Sequence, residues 1–247
     1  MSADGPAFDE YTAAIEAGTA RLATVVGDVL AQPVPSCPEW TGFDLVEHLG
    51  EVFRFFREQL LAADPSGRRE VARPGIPEGA PPTEWLESMA SSLVAAVEQA
   101  GPDSPCWNWA GEDLNSGWVA RRMALETAVH RYDAELTALD PTPVERDLAV
   151  DGVDERLMVH LRADLPEEPS ATLGGSLCLA CSDADAAWVV EVGQGSLHVR
   201  GGRGPASAYV RASASDLFLF SWNRVDVDQL ELTGDRQVAG AWATLPV

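Results

Sequence analysis

An α+β fold in two parts, an antiparallel four-helix bundle followed by a smaller mixed α/β domain, is what the 247-residue sequence predicts. Three observations lead there. Four segments before residue 140 carry apolar residues at helical spacing and are separated by Pro- and Gly-rich loops. After residue 140 the pattern changes to short runs of strand character bounded by turn residues. The apolar content of 46% suffices for a proper core and excludes a wholly disordered chain. The expected division is a bundle over 1–140, a linker over 141–150 and an α+β domain over 151–247.

The first helix is expected over 8–30, with Tyr11, Ala14, Ile15, Leu22, Val25 and Val29 on one face. Gly18 lies on that face, where a missing Cβ lets a neighbouring helix come close, at about 1 kcal/mol of helix propensity relative to Ala. The stretch QPVPSCPEW reads as a loop, because proline cannot continue a helix. Thr41 then reads as an N-cap, with Asp44 three residues on in a capping-box place. Helix two follows over 43–63, with the stripe Leu45, Leu49, Val52, Phe53, Phe56 and Leu60, and His48 beside it.

Residues 64–81 form a long polar loop of the kind that often serves as a lid or binding segment. Helix three spans 82–100. Trp107 and Trp109 sit in the next loop, which is expected to fold back onto the core. Helix four, 115–136, has a core stripe of Trp118, Leu125, Val129, Tyr132 and Leu136. Beside it runs a second stripe with Val119, Met123, Glu126, His130 and Asp133 or Ala134.

A fifth helix is expected over 151–163. Strands follow over 172–181, 187–192, 196–200 and 208–212, with Gly193–Gly195 as a hairpin turn. A helix over 215–223, a strand over 229–233 and a last helix over 235–244 complete the domain.

The formal charge is −22, from 17 arginines, no lysine and 39 acidic residues. Such a chain is repelled by phosphate backbones and anionic lipid, which argues against nucleic-acid or membrane partners. No segment approaches the roughly 20 apolar residues of a membrane span, and the N-terminus does not read as a secretory signal. A soluble cytoplasmic protein is expected. Cys178 and Cys181 form a C-x-x-C within a predicted strand, where alternation places them on opposite faces, so they read as reduced packing residues.

Glu126 and His130, four residues apart, stack on one face of helix four. With His48 they form a two-imidazole, one-carboxylate set of the kind that holds zinc with a fourth position open. Asp44, a turn before His48, and Asp133, three residues after His130, are candidates to orient the imidazoles. On pattern alone two readings stand: an open metal site, and core histidines with ordinary hydrogen bonds. Arg224 similarly reads either as a substrate-carboxylate ligand or as a charge favourable at a helix C-terminus.

The stretch VPSCPEWTGFDLVEHLGEV resembles the signature of the mycothiol-dependent maleylpyruvate isomerase family, and ALETAVHRYDAE resembles its second signature. SASDLFLFSWNRVDVDQLELTGD is similar to a third stretch in that family's second domain. The resemblance implies a DinB-like bundle holding a divalent metal, usually zinc, on His48, Glu126 and His130, with a sterol-carrier-like domain after it. It also implies mycothiol, a low-molecular-weight thiol, as cofactor or co-substrate, and a small electrophile as substrate. The activity so implied is cis–trans isomerisation, with Arg224 as a catalytic residue that grips a substrate carboxylate. One departure stands out: the family often has Gly before that arginine, and this chain has Asn223. Other outcomes of the same resemblance are a mycothiol S-transferase, a metal hydrolase, or a non-catalytic metal-binding sensor.

Overall fold

The computed structural model describes residues 5–165, 172–193 and 196–245. The chain divides into a helical unit, Ala7–Thr142, and an α+β unit that runs on from Pro143.

In the helical unit, α1 spans Phe8–Val26, α2 Gly42–Ala62, α3 Pro82–Ala100 and α4 Ser116–Thr137. Helix α4 packs against all three others. Gly18 of α1 lies against Thr127 of α4, whose Cγ2 would stand 2.7 Å from an added Cβ, so the glycine lets these two helices approach closely. The core is lined by Ile15, Leu22, Leu45, Leu49, Phe53, Leu86, Leu93, Met123 and Leu125, all fully buried.

Two features differ from the sequence reading. The segment after α1 is not all loop: β1, Pro33–Val34, and β2, Cys37–Thr41, form a small antiparallel pair with a register shift. Second, α4 is buried on most of its circumference, including Val119, Met123, His130, Asp133 and Ala134, while Tyr132 and Leu136 are only half-buried. The helix is central rather than peripheral, and its polar side chains are tolerated there because they pair with one another.

Caps and loops follow local chemistry. Thr41 Oγ1 accepts from Asp44 N, and the Asp44 carboxylate accepts from Thr41 N and Oγ1. Asn115 caps α4 by accepting from Trp118 N at 2.9 Å. The loop with the two tryptophans folds back, placing Trp107 against Phe55 and Trp109 against Trp118. The long loop before α3 is strapped along α2. Gln59 exchanges two bonds with the Arg69 backbone, Arg54 donates to Ala72 O, and Glu51 and Glu47 accept from Gly75 N and Ile76 N.

In the α+β unit, α5, Arg146–Glu155, begins earlier than the sequence suggests and passes through a π turn, Arg156–His160, into α6, Leu161–Asp164. Five strands follow: β3 Ser176–Cys181, β4 Ala187–Gly193, β5 Ser196–Gly201, β6 Ala208–Ala212 and β7 Glu231–Gly234. Their order is β5-β4-β3-β6-β7, and β3 pairs with β6 in parallel, so the sheet is mixed. Residues 194 and 195, in the predicted Gly193–Gly195 turn, lie outside the described residues, whereas β3 starts at Ser176 because Gly174 has φ +67°.

Helix α7, Ala214–Ser221, is capped by Ser213 and packs on β3, β6 and α5, with Leu217 and Phe218 fully buried. A short helix α8, Arg236–Gly240, follows β7. All four cysteines are free. Cys178 and Cys181 are buried in β3, and burial pushes the Cys181 thiol up to about 11, so Cys181 is not a thiolate near neutral pH.

Candidate metal centre

Helix α2 brings His48 and helix α4 brings Glu126 and His130 to one place. His48 Nε2 lies 3.4 Å and His130 Nε2 3.3 Å from the same oxygen, Glu126 Oε1. One donor atom from each of the three residues falls within 4.8 Å of the others. Donors about 2.1 Å from a metal at tetrahedral angles stand about 3.4 Å apart, so these separations suit a small divalent cation. The donor set of two imidazole nitrogens and a carboxylate oxygen is a zinc-type set with a position to spare.

The imidazole of His130 is oriented from behind. Its Nδ1 lies 3.0 Å from Asp133 Oδ2, which fixes the tautomer with Nε2 facing Glu126. Asp133 is fully buried and is itself held by Ser36 Oγ, which donates to Oδ1 at 2.5 Å from the turn between β1 and β2. Asp44 does not play the parallel part for His48. Its carboxylate is taken up by Thr41 at the cap of α2 and makes no hydrogen bond to His48.

Two further residues complete the centre. Arg122, one turn before Glu126, is 3% exposed at its side chain and donates from NH2 to Glu126 Oε2 at 2.6 Å. Trp40, the last but one residue of β2, lies over His48 with ring centroids 4.7 Å apart and 6.1 Å from His130. The His48 and His130 rings are edge-to-face at 5.1 Å. The i,i+4 spacing of Arg122 and Glu126 was visible in the sequence and could have identified the arginine. Nothing local to Trp40 places it over His48.

Burial alone opposes charge on Glu126, but the Arg122 guanidinium and the two imidazoles outweigh it and hold its pKa well below the usual carboxylate range. Burial likewise opposes charge on His130. The hydrogen bonds and negative charges of Asp133 and Glu126 prevail and push it up to about 9.

Arg224 belongs to the other unit. It follows α7 in a Schellman turn, with Arg224 N donating to Leu219 O and Asn223 N to Phe220 O. Its NH1 donates to Trp222 O at 2.8 Å. Asn223 has φ +58°, the left-handed conformation that glycine adopts freely and asparagine tolerates best among the rest. The Asn in place of the family's Gly therefore preserves the turn.

Residues 11–135, just over half of the chain, match the family model of the mycothiol maleylpyruvate isomerase N-terminal domain. The chain belongs to that family. All three donors of this family member lie inside the matched segment. Two solved structures, the mycothiol-dependent maleylpyruvate isomerase and a histidine-to-alanine mutant of it, each match with a TM-score of 0.60 at 12% identity, over 93% of this chain and 95% of theirs. At that identity the likeness is one of fold, and it extends through the α+β part. No curated protein matches the chain significantly.

Proposed function

We propose that this member of the mycothiol maleylpyruvate isomerase family is a metal- and mycothiol-dependent enzyme acting on an electrophilic enoyl carboxylate by cis–trans isomerisation. The observation that carries the reading is the convergence of His48, Glu126 and His130 on one point, with Asp133 fixing the tautomer of His130. Family membership supplies the thiol and the reference substrate, maleylpyruvate.

His48, Glu126 and His130 would hold the cation, and zinc is the proposed ion, since two imidazoles and one carboxylate suit it. When bound, it supplies positive charge that favours thiolate over thiol at neutral pH. Asp133 orients His130, Arg122 keeps Glu126 anionic, and Trp40 walls one side of the centre against water. The thiolate sulfur adds to the conjugated cis double bond, the displaced electron pair rests on the conjugated carbonyl, and rotation followed by loss of thiolate gives the trans product with no net oxidation. Arg224 is proposed to hold a substrate carboxylate through two parallel N–H bonds.

Metal analysis of the purified chain, of His48→Ala and of Glu126→Ala tests the centre. One equivalent in the parent and none in the variants supports it, and equal content in all three refutes it. Incubation with maleylpyruvate and mycothiol tests the reaction. Fumarylpyruvate formed only with thiol supports isomerisation. A stable thiol adduct indicates S-transfer, thiol-independent turnover a hydrolase, and metal without thiol binding a sensor.

A further inference from the structure

We propose that Arg122 is a positioning residue that restricts Glu126 to a single donor oxygen and so keeps a coordination position free for the thiol. The inference rests on the metal-centre reading above. It comes from how the two carboxylate oxygens are used. Oε1 is the atom that both imidazole nitrogens approach, at 3.3 and 3.4 Å, while Oε2 receives Arg122 NH2 at 2.6 Å. A carboxylate free at both oxygens can close on one cation with both. An exogenous ligand would then enter only as a fifth donor beside four from the protein, crowded and weakly held, instead of taking the open fourth place of a tetrahedral ion.

The surroundings make this grip firm. Exposed i,i+4 ion pairs are weak and exchange with water. Here the Arg122 side chain is 3% and the Glu126 side chain 19% exposed, and both stand on the same rigid helix one turn apart. Turning Glu126 to present both oxygens to the imidazoles would pull Oε2 from the Arg122 guanidinium and break a largely buried ion pair, a costly change. Arg122 also offsets the charge of Glu126, so a divalent cation on these donors retains more of its charge toward a fourth, anionic ligand.

Cobalt(II) in place of zinc reads coordination number directly, since four-coordinate cobalt absorbs visible light far more strongly than five- or six-coordinate cobalt. The full chain is stripped, loaded with cobalt and titrated with mycothiol, whose sulfur gives a near-ultraviolet charge-transfer band on binding. In the parent chain the expectation is one cobalt with strong visible bands and saturable appearance of the sulfur band. In Arg122→Met one cobalt is retained, the visible bands weaken as the second oxygen joins, and the thiol needed for half-saturation rises at least tenfold.

Arg122→Lys retains the buried charge but not the planar fork, and should fall between the two. It also answers the question if circular dichroism shows Arg122→Met unfolded. A variant that folds and binds cobalt with parental spectrum and thiol titration overturns the inference alone, because a merely structural ion pair would leave both unchanged. Failure of the parent chain to bind cobalt overturns the metal reading and the inference with it.

Discussion

Replacing Asp133 by asparagine separates two effects that this carboxylate has on His130. Asp133 Oδ2 sits 3.0 Å from His130 Nδ1 in a fully buried position, so it raises the basicity of Nε2 toward a metal and equally toward a proton. Loss of a partner of this kind typically lowers metal affinity 10–100-fold, which is about 1.4–2.7 kcal/mol. Proton competition works the other way. With His130 at about 9, the site at pH 7 must release a proton to bind a cation, at a cost of about 100-fold in apparent affinity. Asp133→Asn removes one of the two carboxylates that sustain that pKa, the other being Glu126, and relieves part of this competition.

The two changes therefore oppose each other at pH 7, and the intrinsic loss emerges in full above pH 9. Zinc affinity is measured by competition with a chromophoric chelator between pH 7 and 9.5, with circular dichroism to confirm folding. The parent affinity should climb more steeply with pH than that of Asp133→Asn up to pH 9, and the curves should separate by 10–100-fold above it. Parallel pH slopes, with affinities within twofold above pH 9, would refute the orienting role. In the metal-free chain the sign is that of a raised group. The stabilisation from charged His130 is fully present below about 6.5 and is lost as pH rises through about 9.

Glu135 tests a second buried charge cluster: its carboxylate accepts from Arg21 Nε and Arg131 NH1, each at 2.8 Å, and from Thr142 N. Glu135→Ala should cost about 3 kcal/mol in urea unfolding, the low end for breaking a buried pair because Arg21 is partly exposed. The pKa of Glu135 is lowered, with burial opposing and the Arg21 and Thr142 bonds prevailing. Its contribution is thus present above about 4.5 and lost as pH falls through the folded value, so Glu135→Gln should flatten the acid limb of the stability curve. Gly234 has φ +86°, and an added Cβ would meet Ser207 O at 2.4 Å, so Gly234→Ala should destabilise by about 2 kcal/mol or more in the same assay. Asn223→Gly should leave stability within a few tenths of a kcal/mol, whereas Asn223→Val should cost about 1–2 kcal/mol, since a β-branched residue resists φ near +58°.

Much of the helical unit was legible because its signals are local. The Thr41–Asp44 box, the Asn115 cap, the close approach at Gly18 and the placing of His48 beside a buried stripe all follow from spacing within a few residues. Periodicity also put Glu126 and His130 on one face of one helix. The β1–β2 pair was missed because two short strands full of proline carry no alternation to read, and their pairing depends on what they pack beside. The early start of α5 and its π turn were missed for a similar reason: propensity near a proline-rich stretch is weak, and the π turn changes the helical period.

By itself the sequence determined which residue types lie on which side of each helix, which chemistry they could carry, and, through its motifs, the family. Tertiary structure alone decided what those sides face. It turned α4 into a central helix, set both imidazoles on one oxygen of Glu126 and gave the other to Arg122. It made Asp133 rather than Asp44 the orienting carboxylate, brought Trp40 over His48, and paired β3 in parallel with β6. The physical reason is that a helical or strand period reports direction about one axis. Contact between elements far apart in the chain depends on how several axes pack, which no single period encodes.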